Sequence, residues 1–555
     1  VGSLKVLVTC AWPYAYSIPH LGNLIGSVLS ADVIARYHKL KGDEVVFVSG
    51  SDEHGTPIEV EAIQRNKKPK ELTDEIHAKI KKIFEDFEIS FSNYTRTESE
   101  IHKEFVREFY RKVYKNGFIF FEKVTQLYCE KDKIFLPDRF VIGTCPFCNY
   151  EKARGDQCEN CGNLLEPTQL INPKCVVCGS TPSKKETEHC FIDFPKLRDR
   201  VIEYINNNPY FDKRIKAISL GYIKDEFRAR ALTRDNKWGI PAPFENFEDK
   251  TIYVWFEAVL GYISATIEYF KDDRWKEYWF NKNALTYYFI GKDNIPFHAV
   301  IFPALLMASG EDYNLPHIIS ATEFLTYEGK KFSKSQGIGI WLDEALQIAE
   351  SDYWRYALVY LRPEERDTEF SIKIFVELVN SHLNDTLGNL VYRVLTFVKN
   401  YFNYCIPKPK ELNDEEKEIL NKVENIVKEI DSNFKEVKLR NALNLAMEIA
   451  RIGNWYLNEK KPWEKVKTNK EEASRIIYVL ARILHVLTIV LHPIIPKKCE
   501  EIRKMLNLPL NIKWEDAFYD PFKEEQKISE PKIIFRKYSI EEIENKLREI
   551  RKVSI

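Results

Sequence analysis

The spacing of apolar positions changes along this chain, and each change marks a different kind of element. Val6-Leu7-Val8 is a short unbroken apolar run, the pattern of a parallel strand covered on both faces. From Leu24 to Lys41 the spacing is helical, and Gly42 stands where such a helix would stop. Glu44-Val45-Val46-Phe47-Val48 reads as a second strand leading to Asp52. This opening predicts an α/β, Rossmann-type doubly wound parallel sheet with ligands at the carboxyl ends of its strands. Between 119 and 200 the rhythm breaks and cysteines gather. It resumes in Lys250–Glu257, Leu285–Gly291 and Ile318–Ile319, so the sheet is expected to be split by an insertion. From about 375 onward long helical periods take over, punctuated by Pro407, Pro409, Pro462, Pro493 and Pro496 as in a helix bundle. Ile540–Lys552 reads as a last amphipathic helix. The expected division is 1–118 with 216–325 as the split sheet domain, 119–215 as the insertion, 326–374 as a linking segment and 375–555 as the α-helical bundle.

Composition narrows the class. The 555 residues are 44% apolar and 30% charged, the balance of a folded globular chain of several domains. A net charge of −1 gives no global basic signature, so any nucleic-acid surface would be local. No unbroken apolar run reaches about 18 residues, and no membrane span is expected. Val1-Gly2-Ser3-Leu4 leads straight into a strand, which leaves no room for a signal peptide and reads as processing or a tag remnant. The eleven cysteines fall mostly in CxxC pairs, pointing to metal binding in a reducing cytoplasm rather than to disulfides. Cys145-x2-Cys148 with Cys158-x2-Cys161 is the spacing of a closed, structural zinc site. Cys175-x2-Cys178 suggests a second ion needing two more ligands, with Cys129-x2-Asp132 at knuckle spacing and Cys190 and His189 as rivals. Cys10, Cys405 and Cys499 are expected to be buried or incidental.

Two runs are built to hold phosphate. His20-Leu21-Gly22-Asn23 sits where the first strand gives way to a helix, whose free N–H groups favour an anion. Lys331-Phe332-Ser333-Lys334-Ser335, flanked by Gly329 and Gly337, is a doubly cationic loop suited to a triphosphate. A P-loop ATPase is not expected, since no Gly-x4-Gly-Lys-Ser/Thr run occurs.

The first run lies within Cys10-Ala11-Trp12-Pro13-Tyr14 through Asn23. Gly50-Ser51-Asp52-Glu53-His54-Gly55-Thr56-Pro57 follows, then Tyr253-Val254-Trp255-Phe256-Glu257-Ala258 and Phe289-Ile290-Gly291-Lys292-Asp293. Phe297-His298 and Glu328-Gly329-Lys330-Lys331 complete the series. Each motif alone is weak, but the ordered set is specific. It resembles the class I aminoacyl-tRNA synthetases, and within them the methionyl-tRNA synthetase family of archaeal and eukaryotic type.

The resemblance implies activation of L-methionine by ATP, with Mg2+, to methionyl-adenylate and pyrophosphate. Transfer to tRNA(Met) with a CAU anticodon would follow, serving translation initiation and elongation. The substrate carboxylate is already a nucleophile, so catalysis is expected to be positioning and charge stabilisation on the phosphates. His20, Lys331 and Lys334 are the implied catalytic residues, joined by Asn23 and Asp293 in ATP binding. Asn23 stands where many class I enzymes have histidine. Asp52 would hold the methionine ammonium, with Tyr14, Trp255 and Tyr262 as aromatic walls, Ala258 and Val259 as floor and His298 at the side-chain end. Trp12 replaces a leucine frequent at its position, and Glu257 and Arg234 are accessory candidates. Asn389 and Arg393, spaced to share a helix face, and Trp463 would meet the anticodon. Cys129-x2-Asp132 corresponds to a zinc-ligand pair in some family members and would complete the second site. A leucine, isoleucine or valine enzyme would carry a large editing insert, whereas this insert is short and cysteine-rich. A zinc-ribbon tRNA-binding protein would not need His20, Asp52, Trp255, His298 and Lys334 together. The chain stops near the expected end of the bundle, so a cytoplasmic monomer is expected.

Overall fold

A computed structural model describes residues 3–554. Five strands, β1 (Lys5–Cys10), β2 (Glu44–Ser51), β3 (Asn93–Arg96), β4 (Leu285–Gly291) and β5 (Ile318–Thr322), form one sheet in the order β5-β4-β1-β2-β3. Every pairing is parallel, and Val8 stands opposite both Phe47 and Tyr287. Val6, Leu7 and Val8 are fully buried, which is why they form an unbroken apolar run. The strand order reverses between β1 and β4, where Ala11 N–H donates to the Phe289 carbonyl at 3.0 Å. A doubly wound sheet opens its ligand crevice at that reversal. The first helical stretch runs from Leu21 to Leu40 with a π-helical stretch at Leu24–Val28, and Gly42 follows it at φ +84°.

Lys250–Glu257, expected to continue the strand alternation, takes a different course. Only Thr251–Ile252 is extended, paired antiparallel with Thr233–Arg234, and Val254–Ala258 is a short helix. An apolar run this short carries no period that separates strand from helix. Here Val254, Phe256 and Glu257 turn inward from a helix, and Trp255 stands on that helix.

The insertion leaves the sheet on two long antiparallel strands, Ile119–Cys129 and Ser183–Ile192, paired without a break from Ile119↔Ile192 to Tyr128↔Ser183. Their far end carries a three-stranded sheet (Ala153–Arg154, Val141–Thr144, Ile171–Cys175) around a small separate core of Leu127, Leu136, Phe140, Val141 and Leu170. Helices Arg198–Asn207 and Lys213–Glu226 return the chain, with Val201, Ile205 and Ile215 in the core that also holds Tyr288 and Ile290.

Long helices Asp414–Lys435, Leu439–Lys460 and Lys470–Val490 dominate the C-terminal part. The last is long and apolar enough to cross a membrane, because Arg475 and Arg482 break its runs without lowering its mean hydropathy much. Its most apolar window is 83% buried within the protein, as suits the central helix of a bundle.

One buried cation ties these parts together. Arg355, on helix Ser351–Tyr360, is fully buried. It donates to Asp32 of the first helical stretch at 2.7 Å, to the Phe87 carbonyl at 3.0 Å, and to the Pro493 and Ile494 carbonyls at 2.9 and 2.8 Å. Burial opposes ionisation of Asp32, but Arg36, Arg355 and Ser90 hold its carboxyl well below the usual range.

Candidate functional site

His20 caps the first helical stretch. Its Nδ1 accepts from the Gly22 and Asn23 N–H groups at 3.0 and 3.3 Å, while Asn23 Oδ1 accepts from the His20 N–H at 3.0 Å. The side chain at the fourth position therefore acts as an acceptor, which the asparagine Oδ1 supplies, while the donor to His20 Nδ1 is the backbone N–H. A Cβ at Gly22 would lie 2.9 Å from His20 Cε1, so only glycine leaves the ring in place. With Nδ1 accepting, the ring proton sits on Nε2, and burial lowers the His20 pKa to about 4. His20 is neutral at neutral pH, so attraction for an anion must come from the helix terminus and the loop lysines.

The second run lies directly against the first. Phe332 stacks on the His20 ring at 4.1 Å and 14°, and Trp341 meets it edge-on at 6.1 Å. Leu21 N–H donates to the Ile340 carbonyl (3.3 Å) and Leu342 N–H to the Pro19 carbonyl (3.0 Å), so backbone bonds join two segments far apart in sequence. Ser333 and Ile338 exchange backbone bonds of 2.8 and 2.9 Å, which fold the loop between them into a tight turn carrying exposed Lys334; Lys331, just before it, is exposed too. Gly339 has φ +128°, and a Cβ there would fall 2.5 Å from Phe332 Cδ1, so glycine is required for both reasons.

Asp52 follows β2 and is pinned by its backbone to the loop after β1, with N–H to the Pro13 carbonyl at 2.8 Å and C=O from Ala15 N–H at 2.9 Å. Its carboxylate is 4% exposed, and among the described residues Oδ1 has no partner. Burial, then the charge of Glu257, push this carboxyl well above its ordinary pKa. A buried acceptor left open invites a cationic ligand. Tyr14 accepts through its hydroxyl from Trp255 Nε1, and Trp255 meets Phe297 edge-on at 5.4 Å. Tyr262 O–H donates to His298 Nε2 at 2.8 Å, and His298 Nδ1–H donates to the Asn294 carbonyl at 3.0 Å. His298 is held neutral by burial, its pKa lowered to about 4, and with both nitrogens engaged it offers a ligand only a polarizable ring. Val259 is buried and Ala258 half-buried on the same segment; Asp293 is exposed just past β4.

Trp12 fills room that two glycines leave. A Cβ on Gly50 would lie 2.8 Å, and one on Gly261 2.7 Å, from its ring. Gly50 opens one of the quoted motifs without its spacing showing this role, and Gly261 lies outside them all; both face Trp12, which replaces the leucine frequent at its position. Arg234 pairs with Asp138 at 3.0 Å and lies 4.0 Å over the Tyr253 ring, tying the insertion to helix Val254–Ala258. A cavity of about 290 Å³ opens beside Trp255, lined by Tyr253, Phe297, Arg230, Arg234 and His189. Asp52, Tyr14 and His298 do not line it.

In the helical part, Arg393 on helix Asn389–Phe402 donates to Asn458 Oδ1 at 3.0 Å and lies 5.6 Å over the Trp463 ring. Asn389 is exposed one turn before Arg393. Trp463 sits half-buried in the first turn of helix Pro462–Thr468.

Two sets of four metal-ligating atoms converge in the insertion, each within 4.8 Å of one another: Cys145, Cys148, Cys158 and Cys161, and Cys129, Asp132, Cys175 and Cys178. Cys145–Cys161 and Cys148–Cys158 Sγ separations of 3.8 and 3.5 Å suit a tetrahedral ion with metal–sulfur bonds of about 2.3 Å. The Cys129/Asp132 pair has the same backbone as the cysteine pairs. In all four, the residue after the second ligand (Lys133, Asn149, Gly162, Gly179) has positive φ and returns its N–H to the carbonyl of the first at 2.8–3.0 Å. His189 instead bonds Thr233 and Asp235, each at 2.8 Å, and Cys190 is buried in the sheet-side core. Both thus fall outside the ligand sets.

A parallel sheet reversing at β1/β4, with a capped His20 run bridged to a lysine loop, defines a class I tRNA synthetase. The family described as "tRNA synthetases class I (M)" matches residues 6–395, and "Anticodon binding domain of methionyl tRNA ligase" matches 406–550. A methionine–tRNA ligase of Caldivirga maquilingensis is 52% identical, covering 99% of this chain and 95% of the relative. One of Sulfurisphaera tokodaii is 52% identical over 99% and 98%. Among solved structures, Mycobacterium tuberculosis methionyl-tRNA synthetase in complex with methionyl-adenylate matches the fold with a TM-score of 0.80 at 22% identity, covering 96% of this chain and 99% of that one. The chain belongs to the methionine–tRNA ligase family, whose members are ATP-dependent aminoacyl-tRNA ligases.

Proposed function

We propose that this enzyme activates L-methionine with ATP, forming methionyl-adenylate and pyrophosphate, and then transfers the methionyl group to the terminal ribose of tRNA(Met). The observation that carries this reading is the backbone bridge between the His20 run and the lysine loop, joined through residues 11–20 to the open carboxylate of Asp52. Asp52 receives the substrate ammonium, and Tyr14, Trp255, Tyr262, Ala258, Val259 and His298 surround the thioether. The substrate carboxylate then attacks the α-phosphorus in line. His20 donates from Nε2, Asn23 holds its ring through the cap, and Lys331 and Lys334 close on the leaving pyrophosphate from the loop. Mg2+ comes with ATP and offsets charge on its phosphates. Asp293, exposed just past β4, would contact the ribose or adenine.

Zinc suits both ligand sets: four thiolates in one, three thiolates and a carboxylate in the other, all closed and structural. The catalytic domain, the zinc insertion from 119, the loop-bearing link and the anticodon-binding domain follow in the expected order. The expected divisions at 215/216, 325/326 and 374/375, however, fall inside helix Lys213–Glu226, strand Leu325–Tyr327 and helix Ile372–Glu377 and belong at the ends of those elements. The enzyme works in the cytoplasm.

The deciding experiment is amino-acid-dependent ATP–pyrophosphate exchange. Exchange with methionine and not with leucine, isoleucine or valine supports the reading; exchange with another amino acid discards the pocket and keeps the reaction. Trp463→Ala is expected to raise the tRNA KM about 5–100-fold, the loss of one stacked base, with exchange unchanged. A normal tRNA KM would remove Trp463 from the anticodon site.

A further inference from the structure

Behind Asp52 lies a buried row of charges that adenylation does not itself use. His54 is 1% exposed. Its Nδ1 is 2.8 and 3.1 Å from the two carboxylate oxygens of Glu257, and its Nε2 is 2.5 Å from Oε2 of Glu98. Each ring nitrogen faces a carboxylate, so each must donate; a neutral ring would aim a lone pair at one of them. Burial alone would lower the His54 pKa, but the carboxylates of Glu257 and Glu98 raise it to about 10.

The surroundings are charged on every side. Helix Val254–Ala258 contributes Glu257, which is fully buried and has His102 Nε2 at 3.7 Å. Glu98 is paired with Lys103 at 2.8 Å. Glu53, on His54's own segment, is paired with Arg96 of β3. Trp238 closes the His54 ring edge-on at 5.6 Å. Asp52 itself is faced by Glu257 and Glu53, by Tyr14 and Tyr262, and by the His54 imidazolium and N–H. Burial raises Glu53 to about 7 against the pull of Arg96, and its titration is common to all the variants compared below.

We propose that Glu98–His54–Glu257 is a fixed counter-charge for the amino-acid pocket, in which His54 is a positioning residue that offsets Glu257 and keeps Asp52 ionised for the incoming ammonium. This rests on Asp52 being the ammonium partner. Asp52 binds a cation only when ionised. Without the His54 charge, Glu257 stands uncompensated near Asp52, which then keeps its proton to higher pH. Methionine binding should weaken accordingly, from a higher pH downward.

The test measures methionine and ATP KM in pyrophosphate exchange from pH 5.5 to 8.5, with the full-length enzyme and the variants H54Q, E257Q, H54Q/E257Q and D52N. H54Q is expected to raise the methionine KM about tenfold at neutral pH, leave the ATP KM unchanged and move the acid limb up by about one unit. H54Q/E257Q, with neither charge, should recover most of that loss, which a packing role would not allow. E257Q alone should carry tight methionine binding to lower pH, and serves as the test should H54Q fail to fold. An unmoved acid limb in both single variants, or a double variant no better than H54Q, overturns the proposal. A normal methionine KM in D52N overturns the ammonium reading instead, and the counter-charge with it.

Discussion

Lys334→Ala should slow methionine-dependent ATP–pyrophosphate exchange by about 10²–10³-fold, while the methionine KM stays within about twofold. The expectation follows from the charge inventory of the nucleotide crevice. His20 contributes no net charge, since burial and the helix cap keep it neutral with only Nε2–H to offer. The helix terminus supplies partial charge and Mg2+ travels with the substrate. On the reading proposed above, the side-chain cations for the departing pyrophosphate come from the loop, where Lys331 and Lys334 are both exposed. An interaction made chiefly in the transition state lowers kcat when removed and leaves ground-state methionine binding alone. Single-turnover adenylation at the wild-type rate in K334A would contradict the role.

With both ligand sets holding zinc as proposed, Cys158→Ser should lower the metal content from two ions per chain to one, and Asp132→Ala should do the same through the other ligand set. The small core at the end of the insertion holds only a handful of apolar side chains, several of them the ligating cysteines themselves. A core of that size cannot order the surrounding loops unaided, whereas binding of a structural zinc ion contributes on the order of 10 kcal/mol. Loss of the first ion should therefore expose residues near 145–170 to limited proteolysis while the paired strands Ile119–Cys129 and Ser183–Ile192 persist. Elemental analysis with protease mapping decides it. Two ions retained in Asp132→Ala would remove the carboxylate from the second set and leave three thiolates to bind alone.

What could be read from the sequence was whatever has a short period or a fixed spacing. Val6–Val8 announced itself as a doubly covered strand and Glu44–Val48 as a second strand, and the CxxC pairs announced a knuckle because two ligands three residues apart share one turn. Lys250–Glu257 is a strand only at Thr251–Ile252, because the aromatic and branched residues that follow fit either period and contacts from elsewhere in the chain decided the outcome. Lys470–Val490 escaped a search for unbroken apolar runs because its two arginines interrupt the run but sit on a bundle helix. The Trp12 wedge between Gly50 and Gly261 depends on three segments meeting in space, which no local pattern encodes. His54 lay inside a recognised run, yet its two carboxylate partners come from positions 44 and 203 residues away.

Arg355 also sets the order in which the molecule can be finished. Two of its acceptors, the carbonyls of Pro493 and Ile494, lie 138 and 139 residues downstream. At ordinary translation speeds that stretch takes on the order of ten seconds to synthesise. Throughout that interval the nascent chain holds a guanidinium whose burial site is incomplete: Asp32 can pair with it, but the donors that reach Pro493 and Ile494 have no acceptors until those residues arrive. A message that ends early, between residues 355 and 494, would yield a polypeptide with both phosphate-site runs and an Arg355 whose burial site is never completed. Such fragments are natural clients for chaperones and proteases, and attempts to express the nucleotide-binding half alone should meet the same obstacle.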